Sequence, residues 1–200
     1  MKYGFLAAAA VCILSIQNAA ANETETEQEG HVAPVHAETG LYTAVKGQLS
    51  LGEKVEHSEN VDIEGHTGEG IGLEVGYKIG YGFAVEADGT YTHNTVTEVN
   101  CESGTCEKTN ADAEYMSVSL DLVYTYHLTH HLGAFVKTGY EYETENIGKL
   151  DVSGHDTGII YAAGAEYAVS DHTAIMAEYE GTTIESPLGS SVFAGVVYNF

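Results

Sequence analysis

A period-two alternation of apolar and polar residues recurs in eight segments of this chain, and in each of them the charged residues fall on a single face. Two residues per repeat is the period of a β-strand. In 41–51, Leu41, Thr43, Val45, Gly47, Leu49 and Leu51 share one side, and Tyr42, Ala44, Lys46, Gln48 and Ser50 share the other. In 71–79, Ile71, Leu73, Val75, Tyr77 and Ile79 oppose Glu74 and Lys78. In 83–91, Phe83, Val85, Ala87, Gly89 and Tyr91 oppose Glu86, Asp88 and Thr90. In 116–126, Met116, Val118, Leu120, Leu122, Tyr124 and Tyr126 oppose Ser117, Ser119, Asp121 and Thr125. Lys137 and Glu141 oppose the apolar side of 132–142, and Glu166 opposes that of 159–169. Met176, Glu178 and Glu180 lie opposite Ile175, Ala177 and Tyr179, and the last segment aligns Val192, Ala194, Val196, Tyr198 and Phe200.

A water-soluble sandwich or ligand-binding barrel turns its charge outward and its apolar side chains inward. Here the sheet is inside out. The apolar faces carry no charge, while Lys46, Glu74, Lys78, Glu86, Asp88, Asp121, Lys137, Glu141, Glu166, Glu178 and Glu180 collect on the other. In hydrocarbon every backbone group must be paired within a closed sheet, and a charge facing lipid costs about 2–4 kcal/mol at the midplane. The pattern therefore predicts an eight-stranded antiparallel up-and-down transmembrane β-barrel over 40–200, all-β, with those charges forming a lumen network. Connection lengths agree with it. "GYG" (80–82), "LTHH" (128–131) and "SD" (170–171) are tight, whereas 53–69, 92–112, 144–157 and 182–190 are long and polar. Short periplasmic turns and longer extracellular loops are the habit of such barrels.

Ahead of the barrel, Lys2, an apolar run to about Ile16 and the small-residue exit Ala19-Ala20-Ala21 read as a cleaved secretory signal over 1–21. The run is shorter than the roughly 20 residues of a spanning helix. Cys12 lies inside it after Val11, a poor context for lipid attachment. Residues 22–39, rich in glutamate and nearly free of large apolar side chains, read as a disordered acidic periplasmic arm. In an exported chain Cys101 and Cys106, flanking Ser103-Gly104 in "NCESGTCEK", predict a disulfide across a loop tip. Two cysteines do not furnish the four ligands of zinc, and no cofactor signature is present.

The chain has no arginine, and its formal net charge is −23. Clustered cations are what phosphate backbones require, so nucleic acid is excluded as a partner.

From Ser153 onward, "SGHDTGIIYAAGAEYAVSDHTAIMAEYEGT" resembles the sixth and seventh strands of the OmpA-like outer-membrane barrel family, and "YTYHLTHHLGAFVKTGY" is similar to that family's turn between strands four and five. The resemblance implies residence in the Gram-negative outer membrane, contact with its lipid, and delivery by the barrel assembly machinery. "VVYNF", with Tyr198 and Phe200 on one face, looks like the terminal signal that this machinery reads. The family's interior acid–base network would fall on Glu86, Lys137, Glu166 and Glu178. Met176 stands where the family's gating arginine would be, so a conductance gate does not carry over.

Three functions remain open at this point. Acidic loops 53–69 and 92–112 on a rigid scaffold fit binding to an extracellular ligand or host surface. A lumen with more acids than lysines fits a narrow cation-preferring leak, although an eight-stranded bore is wide enough only for side chains, which favours a packed polar plug. Lipid A acyl hydrolysis needs a nucleophile, a base and an acid within hydrogen-bond reach on the outer-leaflet side. His127-Leu128-Thr129 lies at a periplasmic turn, and Ser153, His155, Asp156 and Thr157 read as loop-end polar residues, so no enzyme is expected. The histidines of "HLTHH" (His127, His130 and His131), and His31 and His36 in the arm, could bind a metal ion, although such histidines are more often merely solvated; His57, His66, His93 and His155 in the loops could sense mild acid, and no spacing singles them out.

Overall fold

The computed structural model describes residues 39–58, 61–102, 105–148, 150 and 152–200. The signal segment and most of the acidic arm, with His31 and His36, lie outside the described residues.

Eight strands close into a ring: β1 (Thr39–Ser50), β4 (Gly68–Gly80), β5 (Phe83–Glu102), β6 (Thr105–His127), β7 (Leu132–Ile147), β8 (Val152–Ala168), β9 (Thr173–Thr182) and β10 (Ser191–Asn199). Every neighbouring pair is antiparallel. Closure is made by β1 on β10, from Tyr42 opposite Asn199 to Ser50 opposite Ser191. Two further strands, β2 (Lys54–Ser58) and β3 (Val61–Gly65), form a hairpin in the first long connection, and β3 pairs with the upper part of β5.

Side-chain direction follows the alternation in the sequence. Val45, Ile71 and Leu120 stand 63, 67 and 63% exposed on the outer wall, while Lys46, Glu74 and Asp121 are buried in the lumen. Tyrosines and phenylalanines gather near the periplasmic end of that wall, with Phe83 4.9 Å from Tyr124 and Tyr198 5.1 Å from Phe200. Such belts sit where the bilayer meets water.

The tight turn between β4 and β5 needs its glycines. Gly80, Tyr81 and Gly82 all adopt positive φ, at 100°, 56° and 82°. Only glycine takes that region without cost, and a Cβ on Gly82 would also strike the carbonyl of Thr125. Gly76 has a different task. Its bare Cα lets the Tyr42 ring lie across the lumen, and any side chain there would collide with that ring.

Two sequence expectations change. The connection 144–157 shrinks to 148–151, because β7 and β8 stay paired up to Ile147 opposite Val152. The segment 92–112 is not an irregular loop: β5 runs unbroken to Glu102, β6 begins at Thr105, and their pairing is continuous up to Cys101 opposite Cys106, which are disulfide-bonded. The bilayer limits how much of a strand must span, but it sets no limit on extension beyond. The alternating Thr95, Val96, Thr97 and Val99 suit a ribbon that pairs with β3.

Candidate functional site

The lumen is built in layers. At the periplasmic end Tyr42, Ala44, Ala84, Val123, Phe135, Ala174, Met176 and Val197 form an apolar cluster. Above it lies an ionic layer. Lys46 Nζ stands 3.2 Å from Glu74 and 3.4 Å from Glu178, and also pairs with Asp88. Lys137 Nζ stands 3.0 Å from Glu74, 2.8 Å from Glu86 and 3.2 Å from Glu178. Tyr42 donates its hydroxyl to Glu86, and the Lys46 ammonium lies 4.5 Å from the Phe193 ring centroid. Both lysines are almost wholly buried, and a buried ion survives only with partners placed like these.

The register explains the convergence. Lys46 lies opposite Gly72 on β4 and Gly195 on β10, so its side chain meets no bulk from either neighbour and extends across the lumen. Lys137 lies opposite Ala162 on β8 and Val123 on β6. Carboxylates from β4, β5 and β9 then close on the two ammonium groups from both sides.

The other lumen candidates spread along the axis. Asp121 accepts from Ser119 at 2.8 Å, and its other side lies against Gly139. Glu141 and Glu180 line a small polar cavity with Gln48, Thr90, Ser117, Glu143, Thr182 and Ser191. Its open volume of about 10 Å3 is the room of one water. Glu166 is half-buried beside Gly133 near the periplasmic mouth, and Lys78 is half-buried with its ammonium 5.7 Å from the Tyr42 ring.

Sequence reasoning had not placed Tyr42, Phe193 or Glu143 among the groups that meet these charges. Parity was the signal for all three, because each shares the inward face of its strand with a lumen charge or its neighbour.

A second apolar cluster closes the extracellular end: Ile63, Val96, Ala111, Ala113, Tyr115, Ile147 and Leu188. The connection 182–190 supplies Leu188 by folding inward. Leu51, Gly52 and Glu53 donate their N–H groups to the carbonyls of Ser190, Leu188 and Pro187, which straps it over the mouth. Within this cap the Tyr115 hydroxyl donates to Glu145 at 3.0 Å. Burial, and then the Glu145 carboxylate, push that phenol above its usual range.

The β5–β6 ribbon carries Asp112 and Glu114 level with the cap, and Glu98 and Glu107 against Lys108 beyond it. Beside it Lys54 reaches Asp62 at 2.6 Å, a hydrogen bond that raises the ammonium above its ordinary value. On β8, Ser153 and His155 share one face of the strand and Asp156 takes the other. The His155 ring lies 5.6 Å from Tyr142, and Asp156 accepts the Thr157 N–H at 2.7 Å.

A closed ring of eight strands with a lipid-compatible exterior and an ionic lumen defines an outer-membrane β-barrel. Residues 6–200 match the outer membrane protein beta-barrel domain, and the chain belongs to that family. Its fold is similar to Neisserial surface protein A, with a TM-score of 0.55, 16% identity, and 80% of this chain and 97% of that one covered. It is also similar to OprG from Pseudomonas aeruginosa, with a TM-score of 0.61, 13% identity, and coverage of 80% and 96%. Among curated proteins, no sequence matches. The protein resides in the outer membrane of a Gram-negative cell.

Proposed function

We propose that this barrel is a closed, non-catalytic scaffold that presents its acidic β-ribbon for surface interaction. The observation that carries this reading is the contrast between the two halves of the molecule. The lumen is filled by an apolar cluster, an ion-pair layer and a second apolar cluster in succession. The ribbon meanwhile continues from His93 to Glu102 past the apolar wall, about 30 Å of extended chain at 3.3 Å per residue. Paired strands, a disulfide at the tip and support from β3 hold it out as a preformed surface, which reduces the ordering cost of binding. Its acids favour a cationic partner. The alternation on β8 speaks against hydrolysis, because His155 and Asp156 point to opposite faces and do not line up behind one nucleophile.

Replacing 97–110 with Asn-Gly closes a two-residue turn on the Val96–Ala111 pair and so keeps the register below it. Bacteria displaying that variant are expected to lose attachment to epithelial monolayers while the barrel keeps its heat-modifiable gel migration. Undiminished attachment by a folded variant sinks the proposal. The leak makes the opposite demand: steady nanosiemens steps from the purified protein in planar bilayers would show that the lumen is open.

A further inference from the structure

The periplasmic rim of the barrel is poor in fixed positive charge. The chain has no arginine. Of the described lysines, Lys46 and Lys137 are buried in the lumen, Lys78 faces it, and Lys54 and Lys108 belong to the extracellular side. What the rim carries instead is imidazole. His130 and His131 lie in the β6–β7 turn and His172 in the β8–β9 turn, all exposed. The two turns are tied to the neighbouring strands: Ala168 of β8 donates its N–H to the His131 carbonyl at 2.7 Å, and Asn199 of β10 donates to the His172 carbonyl at 2.8 Å.

Both sites meet the aromatic belt. The His131 ring lies 6.0 Å from that of Tyr167, and the His172 ring stacks 6.0 Å from that of Tyr198. These tyrosines face the bilayer and mark the depth of the lipid headgroups. His172 Nδ1 stands 3.1 Å from the Asn199 carbonyl, which can only accept, so that nitrogen is the donor. The histidines occupy one arc of the rim. The remaining tight turn, Gly80-Tyr81-Gly82, which is tied to β6 by the Thr125 N–H on the Gly82 carbonyl, has no basic side chain.

From this arrangement we infer that His130, His131 and His172 form a protonatable contact surface for the anionic phosphodiester headgroups of the periplasmic leaflet. Imidazole changes charge between about pH 5 and 8, and a charged N–H to a phosphate oxygen is a strong hydrogen bond. The contact forms in mild acid and is released as pH rises. The other ionisable groups on this arc are few. Asp171 shares the turn with His172, His127 ends β6, and Glu166 sits half-buried on the inward face of β8. Two acids, Asp171 and the inward-facing Glu166, stand against the three turn imidazoles and His127, so the protonated arc is net positive.

The mature protein in nanodiscs containing phosphatidylglycerol, with 15N-labelled histidine, provides the test. Dipolar dephasing between imidazole nitrogen and lipid phosphorus is expected at pH 5.5 for these three residues and is expected to vanish at pH 8. Its absence at pH 5.5, or its appearance only at His93 or His155 on the other rim, overturns the inference. Boundary selectivity supplies a second arm. Spin-labelled phosphatidylglycerol should be enriched over phosphatidylcholine about threefold more at pH 5.5 than at pH 8. In the H130Q/H131Q/H172Q variant that pH effect should disappear, and its survival there would refute the assignment. An equal dephasing produced by inorganic phosphate on the protein in a phosphorus-free detergent would refute the lipid as the source.

Discussion

Lys137→Met lowers the unfolding free energy of the barrel by about 3–5 kcal/mol, the usual cost of leaving buried charges without their partner. The side chain is 1% exposed and stands within ion-pair distance of Glu74, Glu86 and Glu178. Methionine fills the same space, so the loss is electrostatic and not a cavity effect. Glu74 and Glu178 retain Lys46, but Glu86 keeps only the Tyr42 hydroxyl among its partners described above. The variant K137M/E86Q should therefore recover part of the deficit. Urea unfolding in detergent micelles, followed by the shift between compact and extended gel forms, measures both. A K137M protein as stable as the natural chain would mean that the ionic layer contributes nothing.

Leu120→Arg places a charge on the outer wall and is expected to cost about 2–4 kcal/mol when the barrel is folded in lipid vesicles. Leu120 is 63% exposed and lies opposite Ala87 on β5 and Tyr140 on β7, midway along the apolar face of β6. In water such a substitution on an exposed site would change little. The size of the effect thus reports what surrounds the residue. Thr109→Arg, on the exposed ribbon above, serves as the control and should change stability by less than about 0.5 kcal/mol. Spin labels at Val118 and Val136 probe the same surroundings without adding a charge: preferential collision with oxygen over a polar relaxer indicates lipid. Equal costs for the two arginine variants, or aqueous accessibility at both labels, would remove the membrane assignment.

The histidine arc and the ribbon differ in how visible they are before folding. "HLTHH" stands out as a cluster, but its meaning depends on Tyr167 from β8, as that of His172 depends on Tyr198 from β10. The ribbon hides inside a stretch whose polarity resembles that of a loop. Its Thr and Val alternation becomes a strand because the hairpin partner lies directly opposite and β3 covers one edge. Likewise the connection 182–190 has the composition of an outward loop, yet Leu188 and Ile184 are buried as it turns over the mouth.

Which side of each strand faces lipid was determined by the amino-acid sequence alone, since Val45 and Lys46, or Leu73 and Glu74, must separate whenever the backbone is extended. The number of spanning strands and the tightness of the turns were determined in the same way, because they depend on residues close together in the chain. Only the tertiary structure decided that Lys46 meets Asp88 and Glu178, that Lys137 reaches Glu86, and that two apolar clusters seal the lumen. These partners lie on strands far apart in sequence. Their meeting depends on the register at which β1 closes on β10, a property of the whole ring that no single strand encodes.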